Sequence, residues 1–177
     1  MKKILLTLSM TALLLFTAGC SCPFSDKNAD SKPQMNTAAA SAAKTAPDFS
    51  YKELGSGKTM RLSDLKGKPV FINFWATWCP PCVGELPHIE KKYAEYKDKM
   101  HFVILSVDDN EQEPARFIQS RGYTFPAAYG DHQALGRAYG IDAIPASYII
   151  SADGRIVAST VGSMNESSLD AFLQKAF

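Results

Sequence analysis

The chain has 177 residues, with 19 Lys and Arg against 18 Asp and Glu, so its formal net charge is only +1. This near balance gives no electrostatic basis for binding nucleic acid, which is therefore excluded as a partner. From residue 47 onward, the length and composition are those of one compact globular domain with a sizeable core and no internal repeat.

Residues 1–19 have the layout of a secretory signal peptide. A Lys2-Lys3 pair precedes an apolar run from Ile4 to Phe16, and small residues follow it. The run is short for a helix that crosses a bilayer, so cleavage is favoured over an uncleaved span, which stays open as an alternative. We therefore expect an extracytoplasmic protein.

The signal ends in Thr17-Ala18-Gly19-Cys20, which resembles the lipobox of bacterial lipoproteins. In that pattern the cysteine is lipidated and becomes the new N-terminus, so the resemblance implies a lipid anchor on Cys20. Thr17 stands where the pattern most often has leucine, and ordinary signal cleavage is the alternative. Cys22 fits no pattern and receives no role.

Residues 20–46 predict a flexible tether between this anchor and the domain. They are rich in Ala, Ser, Lys, Asn, Asp and Pro, with few apolar side chains that could form a core. The expected location is the extracytoplasmic side of the cell envelope, either the periplasm or the outer face of the plasma membrane. The folded domain is expected over residues 47–177.

The domain opens on a predicted hairpin, because residues 49–54 and 58–62 alternate around Gly55-Ser56-Gly57. Val70–Trp75 is nearly all apolar, as a central strand covered on both faces should be. After it, apolar residues at three- and four-residue steps predict a long helix through Lys97. These residues are Leu86, Ile89, Tyr93 and Tyr96.

The rest of the chain continues to alternate strands with helices. The predicted elements are a strand over 102–107, helices over 114–121 and 133–139, strands over 146–150 and 155–160 joined by an Asp153-Gly154 turn, and a closing helix over 163–177. This order predicts an α/β domain with a mixed sheet flanked by helices.

Two cysteines lie where the apolar strand meets the long helix, in Trp78-Cys79-Pro80-Pro81-Cys82. Residues three apart at the start of a helix share a face, so their sulfurs can bond with little backbone movement. This spacing predicts a reversible dithiol/disulfide centre.

The two sulfurs are expected to have different roles. Cys79 would lie at the helix N-terminus, where free N–H groups and the helix dipole favour a thiolate, so it is the predicted attacking sulfur. Pro80 and Pro81 carry no N–H, which leaves the amide of Cys82 as the nearest donor to the Cys79 sulfur. Cys82 should be the more buried, resolving thiol.

Half of a structural zinc site is the alternative interpretation of this spacing. It would need a second pair of ligands, and the sequence offers none at workable spacing: Cys20 and Cys22 lie in a different kind of segment, and His88 points to another side of the helix. We predict no metal and no cofactor.

Residues 73–82, with Glu85 and Pro87 behind them, resemble a thioredoxin-superfamily domain, and within it the TlpA/ResA/CcmG group fits best. The resemblance covers Ala46 to Phe177 and includes the segment that ends at Pro145. It implies a thioredoxin-like fold with an N-terminal β-hairpin extension. Members of that group are membrane-tethered, extracytoplasmic thiol-disulfide oxidoreductases, many of which keep cysteines reduced for cytochrome c maturation or related envelope tasks.

The resemblance also implies roles for single residues. Asn73 stands where thioredoxin carries a buried aspartate, and Glu85 would replace that proton acceptor by exchanging a proton with Cys82. Pro145 aligns with the superfamily's cis-proline, and Ile144 before it would pair with the backbone of an extended substrate. Trp78 would belong to a hydrophobic rim that contacts the substrate.

These observations together predict a reductase of protein disulfides that works through Cys79 and Cys82. Its partners would be protein thiols and disulfides of the cell envelope and an upstream membrane or envelope electron donor. Three alternatives stay open: an oxidant that donates its disulfide, a thiol peroxidase of the same superfamily, and a non-enzymatic envelope module that binds metal or a partner.

Overall fold

The structure is a computed structural model that describes residues 44–177. The predicted signal peptide 1–19, the predicted lipidation site Cys20 and most of the predicted tether lie outside the described residues. Among residues 44–177, no helix combines the length and apolarity that crossing a bilayer requires.

A seven-stranded mixed sheet forms the centre of the domain, in the order β2-β1-β5-β4-β3-β6-β7. β4 runs parallel to β3 and β5, whereas β6 runs antiparallel to β3 and β7. The strands are β1 Ser50–Glu53, β2 Thr59–Arg61, β3 Val70–Trp75, β4 His101–Ser106, β5 Ala127–Tyr129, β6 Ala146–Ile150 and β7 Ile156–Val161. The thioredoxin-like α/β fold with its mixed sheet and leading hairpin is therefore confirmed.

Four α-helices pack with this sheet: α1 Pro80–Tyr96, α2 Gln112–Arg121, α3 His132–Tyr139 and α4 Glu166–Leu173. Short 3₁₀ turns follow β2 and α4, at Leu62–Leu65 and Gln174–Ala176. The long helix α1 begins immediately after the strand β3 and the turn that carries the two cysteines, as the sequence predicts.

The strand β3 is buried over its whole length, and its alternating side chains enter two separate cores. Phe71 and Trp75 pack in the cluster that contains α1 and the two cysteines, and Asn73 shares their face. Ile72 and Phe74 pack on the opposite side, in the cluster that contains Leu135 and Tyr139 of α3. A strand buried on both faces is a rigid support for the turn at its carboxyl end.

The strand β5 is not predicted by the sequence, because three residues are too short a run to show a strand period. β5 forms by pairing with β4 on one side and β1 on the other. The closing helix begins later than predicted, because α4 starts at Glu166 and not at residue 163. Gly162, at φ 102°, turns the chain, and the Asn165 side chain accepts from the Ser168 amide to cap the helix.

The described chain joins the fold slightly before residue 47. Thr45 pairs with Arg155, and the Ala46 amide donates to the carbonyl of Gly154 at 2.9 Å. Ala46 itself is buried. The last residues of the segment that the sequence assigns to the tether therefore contact the turn between β6 and β7.

Candidate active site

Cys79 and Cys82 lie at the junction of β3 and α1 and are joined by a disulfide. Their Cα atoms are 5.3 Å apart, which is within the usual range for bonded cysteines. Cys79 is the N-cap residue of α1, with extended backbone angles, and Cys82 lies in the first turn. The close approach that the three-residue spacing predicts is confirmed.

The first turn of α1 offers the Cys79 sulfur a single donor. An N-cap side chain accepts from the second or third helical residue. Pro81 is the second and has no N–H, whereas the Cys82 amide is the third and donates to Cys79 Sγ at 3.3 Å. The predicted donor is confirmed, and it would stabilise a Cys79 thiolate once the disulfide opens.

Burial distinguishes the two sulfurs. Cys79 is 5% exposed and Cys82 is 1% exposed. Cys79 also contacts the segment before β6, because its Sγ lies 3.8 Å from the Ile144 carbonyl oxygen. A partner approaching from solvent therefore meets Cys79 first, which is the order expected of an attacking and a resolving thiol.

Glu85 is a fully buried carboxylate one helical turn after Cys82. Its Oε2 accepts from Asn73 Nδ2 at 3.2 Å, and its Oε1 accepts from the Met164 amide at 3.0 Å. Burial raises the pKa of Glu85 from 4.5 to about 7, and the two hydrogen bonds lower it only partly. The structure therefore places the proton acceptor that the resemblance implies within the core.

Asn73 reaches Glu85 because the strand period puts it on the α1 face of β3. Its amide group also donates to Ser147 Oγ at 3.0 Å, and Ser147 lies opposite it in the antiparallel pair of β3 and β6. Sequence reasoning missed Ser147, since only the register between two distant strands brings them together. The same holds for Met164, which follows β7.

The peptide bond between Ile144 and Pro145 is cis, as the resemblance implies. The Pro145 carbonyl accepts from the Gly162 amide at 2.8 Å, so this turn is held by the segment that follows β7. The structure thus brings the Ile144 carbonyl oxygen to 3.8 Å from the Cys79 sulfur, although 65 residues separate the two residues.

A groove of about 530 Å³ lies near Cys79, because its lining includes Trp78, the preceding residue, and Ile144, whose carbonyl oxygen contacts Cys79 Sγ; neither cysteine lines it. Trp78, whose side chain is 64% exposed, lines one part of it, and Ile144 lines another. Val107, Asp109, His132, Gly136, Ile141, Asp142 and Ala143 complete the lining. Most of these residues were missed, because they follow β4 or lie around α3. The parallel pairing of β3 and β4 is the one sequence signal that could have placed Val107 and Asp109 near Cys79.

Within residues 44–177, no group of three or more His, Cys, Asp or Glu side chains is arranged to hold a metal ion. The chemistry available at this end of the sheet is that of the two sulfurs, the buried Glu85 carboxyl group and the backbone of the half-buried Ile144. These groups are suited to thiol-disulfide exchange with coupled proton transfer.

The Redoxin family profile matches residues 41–173 of this chain. The curated relatives of this chain include proteins named thiol-disulfide oxidoreductase ResA, two of which follow. The protein from Bacillus thuringiensis is 37% identical over 133 residues, which are 75% of this chain and 76% of the relative. The protein from Bacillus subtilis is 33% identical over 129 residues, which are 72% of this chain and 72% of the relative.

Solved structures with the same fold include StoA from Bacillus subtilis, with a TM-score of 0.63 and 27% identity. That match covers 72% of this chain and 97% of StoA. The exposed lipoprotein thioredoxin Etrx1 from Streptococcus pneumoniae has a TM-score of 0.64 and 27% identity, and the match covers 73% of this chain and 99% of Etrx1.

The raised pKa of Glu85 predicts a pH dependence of stability. Between pH 4.5 and about 7 the folded protein holds the Glu85 proton more tightly than the unfolded chain does, so the free energy of unfolding falls as pH rises through this window. The full shift corresponds to about 3 kcal/mol. In Glu85→Gln this part of the slope should be absent, which urea unfolding of the oxidised protein at several pH values measures.

The matched control is Glu113→Gln, which neutralises an exposed carboxylate on α2. This variant should keep the slope of the unmodified protein. An unchanged slope in Glu85→Gln would show that Glu85 is already ionised throughout the window.

Proposed function

The chain belongs to the redoxin family and to the TlpA/ResA/CcmG-like thiol-disulfide oxidoreductases of the thioredoxin superfamily, and we propose that it reduces protein disulfides outside the cytoplasm. The observation that carries this proposal is the Cys79–Cys82 disulfide at the start of α1, with the backbone of Ile144 beside the more accessible sulfur. The enzyme class is thiol-disulfide oxidoreductase.

In the proposed reaction the reduced enzyme gives two electrons to its partner. The Cys79 thiolate attacks one sulfur of a partner disulfide, a mixed disulfide forms, and the other partner sulfur leaves as a thiolate that takes up a proton. The Cys82 thiolate then attacks Cys79 Sγ, which releases the second partner thiol and leaves Cys79 and Cys82 joined. An upstream envelope or membrane dithiol must reduce this bond again.

Glu85 is the proposed proton acceptor for Cys82. The two residues are three apart on α1, so their side chains lie on the same face of the helix. A carboxyl group with a pKa of about 7 is ionised in a large fraction of molecules at neutral pH and still binds a proton readily. Asn73 and Met164 orient it by donating to one oxygen each.

The proposed substrate site is the groove beside the disulfide. Ile144 lies two residues before the start of β6, and its backbone lies against Cys79, where an extended substrate could add main-chain hydrogen bonds. Trp78 supplies an exposed aromatic surface next to the attacking sulfur. Such a site selects for an extended backbone more than for particular side chains, which suits an enzyme with several partners.

The reducing direction is supported by the small number of hydrogen-bond donors that stabilise a Cys79 thiolate. A dithiol becomes a strong oxidant when its reduced form is stabilised, as by several donors to the thiolate. Here the prolines at the first two helical positions remove two N–H groups of the first turn, and among residues 44–177 only the Cys82 amide donates to Cys79 Sγ. The disulfide form is therefore favoured, which makes the dithiol a reductant.

We also propose that a lipid on Cys20 tethers the domain to the membrane and that cytochrome c maturation, or a related envelope thiol pathway, is its setting. The described chain enters the domain near Ala46, which lines a cavity with Val70 at the start of β3. The active site follows the other end of β3, six residues and roughly 20 Å away. The redox centre therefore lies opposite the point where the tether joins.

The first prediction of the proposal is a trapped intermediate. Reduced Cys82→Ser should form a covalent adduct with insulin, chosen as a probe protein with accessible disulfides, because no second thiol is left to resolve the mixed disulfide. The adduct should disappear on treatment with dithiothreitol, and non-reducing electrophoresis with mass spectrometry measures both results.

Cys79→Ser is the matched control and should form no adduct, since the buried Cys82 cannot reach a partner. If Cys82→Ser forms no adduct and the unmodified protein fails to reduce insulin, the proposed function is wrong.

The direction of electron flow predicts a low reduction potential. The Cys79–Cys82 pair should be half-reduced in glutathione or dithiothreitol buffers only at about −250 mV or below, in the range of reducing thioredoxins. Pro81→Ala restores the N–H at the second helical position, and this additional donor should raise the potential by about 15–30 mV. Thiol alkylation after equilibration measures the reduced fraction.

Pro80→Ala is the control, because the N–H at the first helical position is not a capping donor. It should change the potential less than Pro81→Ala does. A midpoint near −180 mV or above would identify the protein as an oxidant.

The lipid anchor predicts a change of cell fraction. In Cys20→Ala the full-length protein should lose incorporation of labelled palmitate and move from the washed membrane fraction to the soluble or unprocessed fraction. Cys22→Ala should behave like the unmodified protein. If Cys20→Ala stays in the membrane in processed form, then lipidation of Cys20 is not the anchor.

A further inference from the structure

A buried carboxylate that the proposed mechanism does not use lies beside the loop that carries Cys79. Asp108 follows the end of β4 and is 0% exposed. Its Oδ1 accepts from Thr77 Oγ1 at 2.6 Å, and both of its oxygens accept from the Thr77 amide at 3.2 Å. Its Oδ2 also accepts from Ser106 Oγ at 2.7 Å. Thr77 lies two residues before Cys79.

The hydrogen bonds to Asp108 compensate for a costly desolvation. A carboxylate removed from water is tolerated only when charged partners or donors satisfy its oxygens. Within residues 44–177 Asp108 forms no ion pair, so donors alone satisfy it, and Thr77 supplies two of them. Moving the Thr77 loop would leave Oδ1 of this buried carboxylate without a donor, and the free energy that this costs opposes the movement.

A second contact joins the same two segments. The Val107 amide donates to the Trp75 carbonyl at 2.8 Å. Val107 is next to Asp108 in the sequence, and Trp75 lies two residues before Thr77. The Cys79 amide donates in turn to the Ala76 carbonyl at 3.2 Å. The loop from β3 to α1 is therefore fixed to the end of β4 on one side and to the start of α1 on the other.

The residues next to this contact line the substrate groove. Trp78 lies between Thr77 and Cys79, and Val107 and Asp109 lie on either side of Asp108; all three border the groove. The lining also includes Ile144. The hydrogen bonds between Asp108 and Thr77 therefore join the two segments that carry Trp78, Val107 and Asp109.

We propose that Asp108 and Thr77 are positioning residues that hold the Trp78 side of the groove in place, so that a protein disulfide is accepted beside Cys79. The inference rests on the proposed function of the groove and deepens it. A protein substrate would contact the residues that line the groove, whereas a small disulfide needs only the Cys79 sulfur. Loosening the loop should therefore weaken the capture of proteins selectively.

The decisive variant is Thr77→Val, which keeps the shape of the side chain and removes the hydroxyl donor. We expect its KM for insulin reduction to rise about tenfold, while kcat and the second-order rate with the small disulfide 5,5′-dithiobis(2-nitrobenzoate) stay within about twofold. Thr77→Ser keeps the hydroxyl and should restore the KM of the unmodified protein.

Thr124→Val is a matched control elsewhere in the fold. The Thr124 hydroxyl donates to Glu90 Oε1 at 2.6 Å and its amide donates to Glu90 Oε2 at 2.9 Å, which is the same pair of donors on a carboxylate. This variant removes the same kind of hydrogen bond at an exposed site, so it should lose less stability and should not change the KM. An unchanged KM in Thr77→Val, or an equal loss of rate with both substrates, would overturn the proposal.

Tryptophan fluorescence gives a readout that stability alone does not move. The chain has two tryptophans, of which Trp75 is fully buried and Trp78 is 64% exposed, so acrylamide quenching and anisotropy report mainly on Trp78. In folded Thr77→Val, Trp78 should be more mobile than in the unmodified protein and in Thr124→Val. Equal mobility in all three proteins would contradict the positioning role.

Asp108→Asn tests the other half of the pair. In the folded protein Thr77→Val/Asp108→Asn should have nearly the same KM as the worse single variant, because both changes remove one interaction. Effects that multiply would show that the two residues act independently. Inability of the unmodified protein to reduce insulin would instead refute the proposed function, which keeps the two failures distinct.

Discussion

The chemistry of this protein depends on one interaction, the cap that Cys79 forms at the N-terminus of α1. The cap places a sulfur where the helix favours negative charge, and the Cys82 amide is its donor at 3.3 Å. Two prolines limit the number of donors while fixing the backbone of the first turn. The same residues therefore make the disulfide geometrically easy to form and leave the thiolate only moderately stabilised.

This cap is useful only because the rest of the fold fixes what lies around it. The buried strand β3 leads into the capped turn, and the Asn73 side chain of this strand donates to Glu85. The segment after β7 donates to Glu85 through Met164 and to the Pro145 carbonyl through Gly162, so one loop contacts both the proton-accepting group and the turn beside Cys79. The carboxylate of Asp108 accepts from Thr77 and so fixes the loop between β3 and α1.

Buried acidic groups have two different uses at this site. Glu85 receives donors from two separate segments, and burial raises its pKa to about 7, which suits proton exchange. Asp108 receives short hydrogen bonds from hydroxyl groups of Thr77 and Ser106, which suits a fixed acceptor that organises a loop.

The sequence by itself determined the features that depend on neighbours along the chain. The strand β3, the helix α1, the N-cap position of Cys79 and the donor from Cys82 follow from local spacing and from the absence of N–H groups in proline. Tertiary structure alone decided the features that join distant segments: the three-residue strand β5, the start of α4, the Asn73–Ser147 contact, the full burial of Glu85 and the pairing of Thr77 with Asp108. The physical reason is that strand register and helix packing bring these groups together. The pattern of residues within one segment does not show which distant segment it will contact.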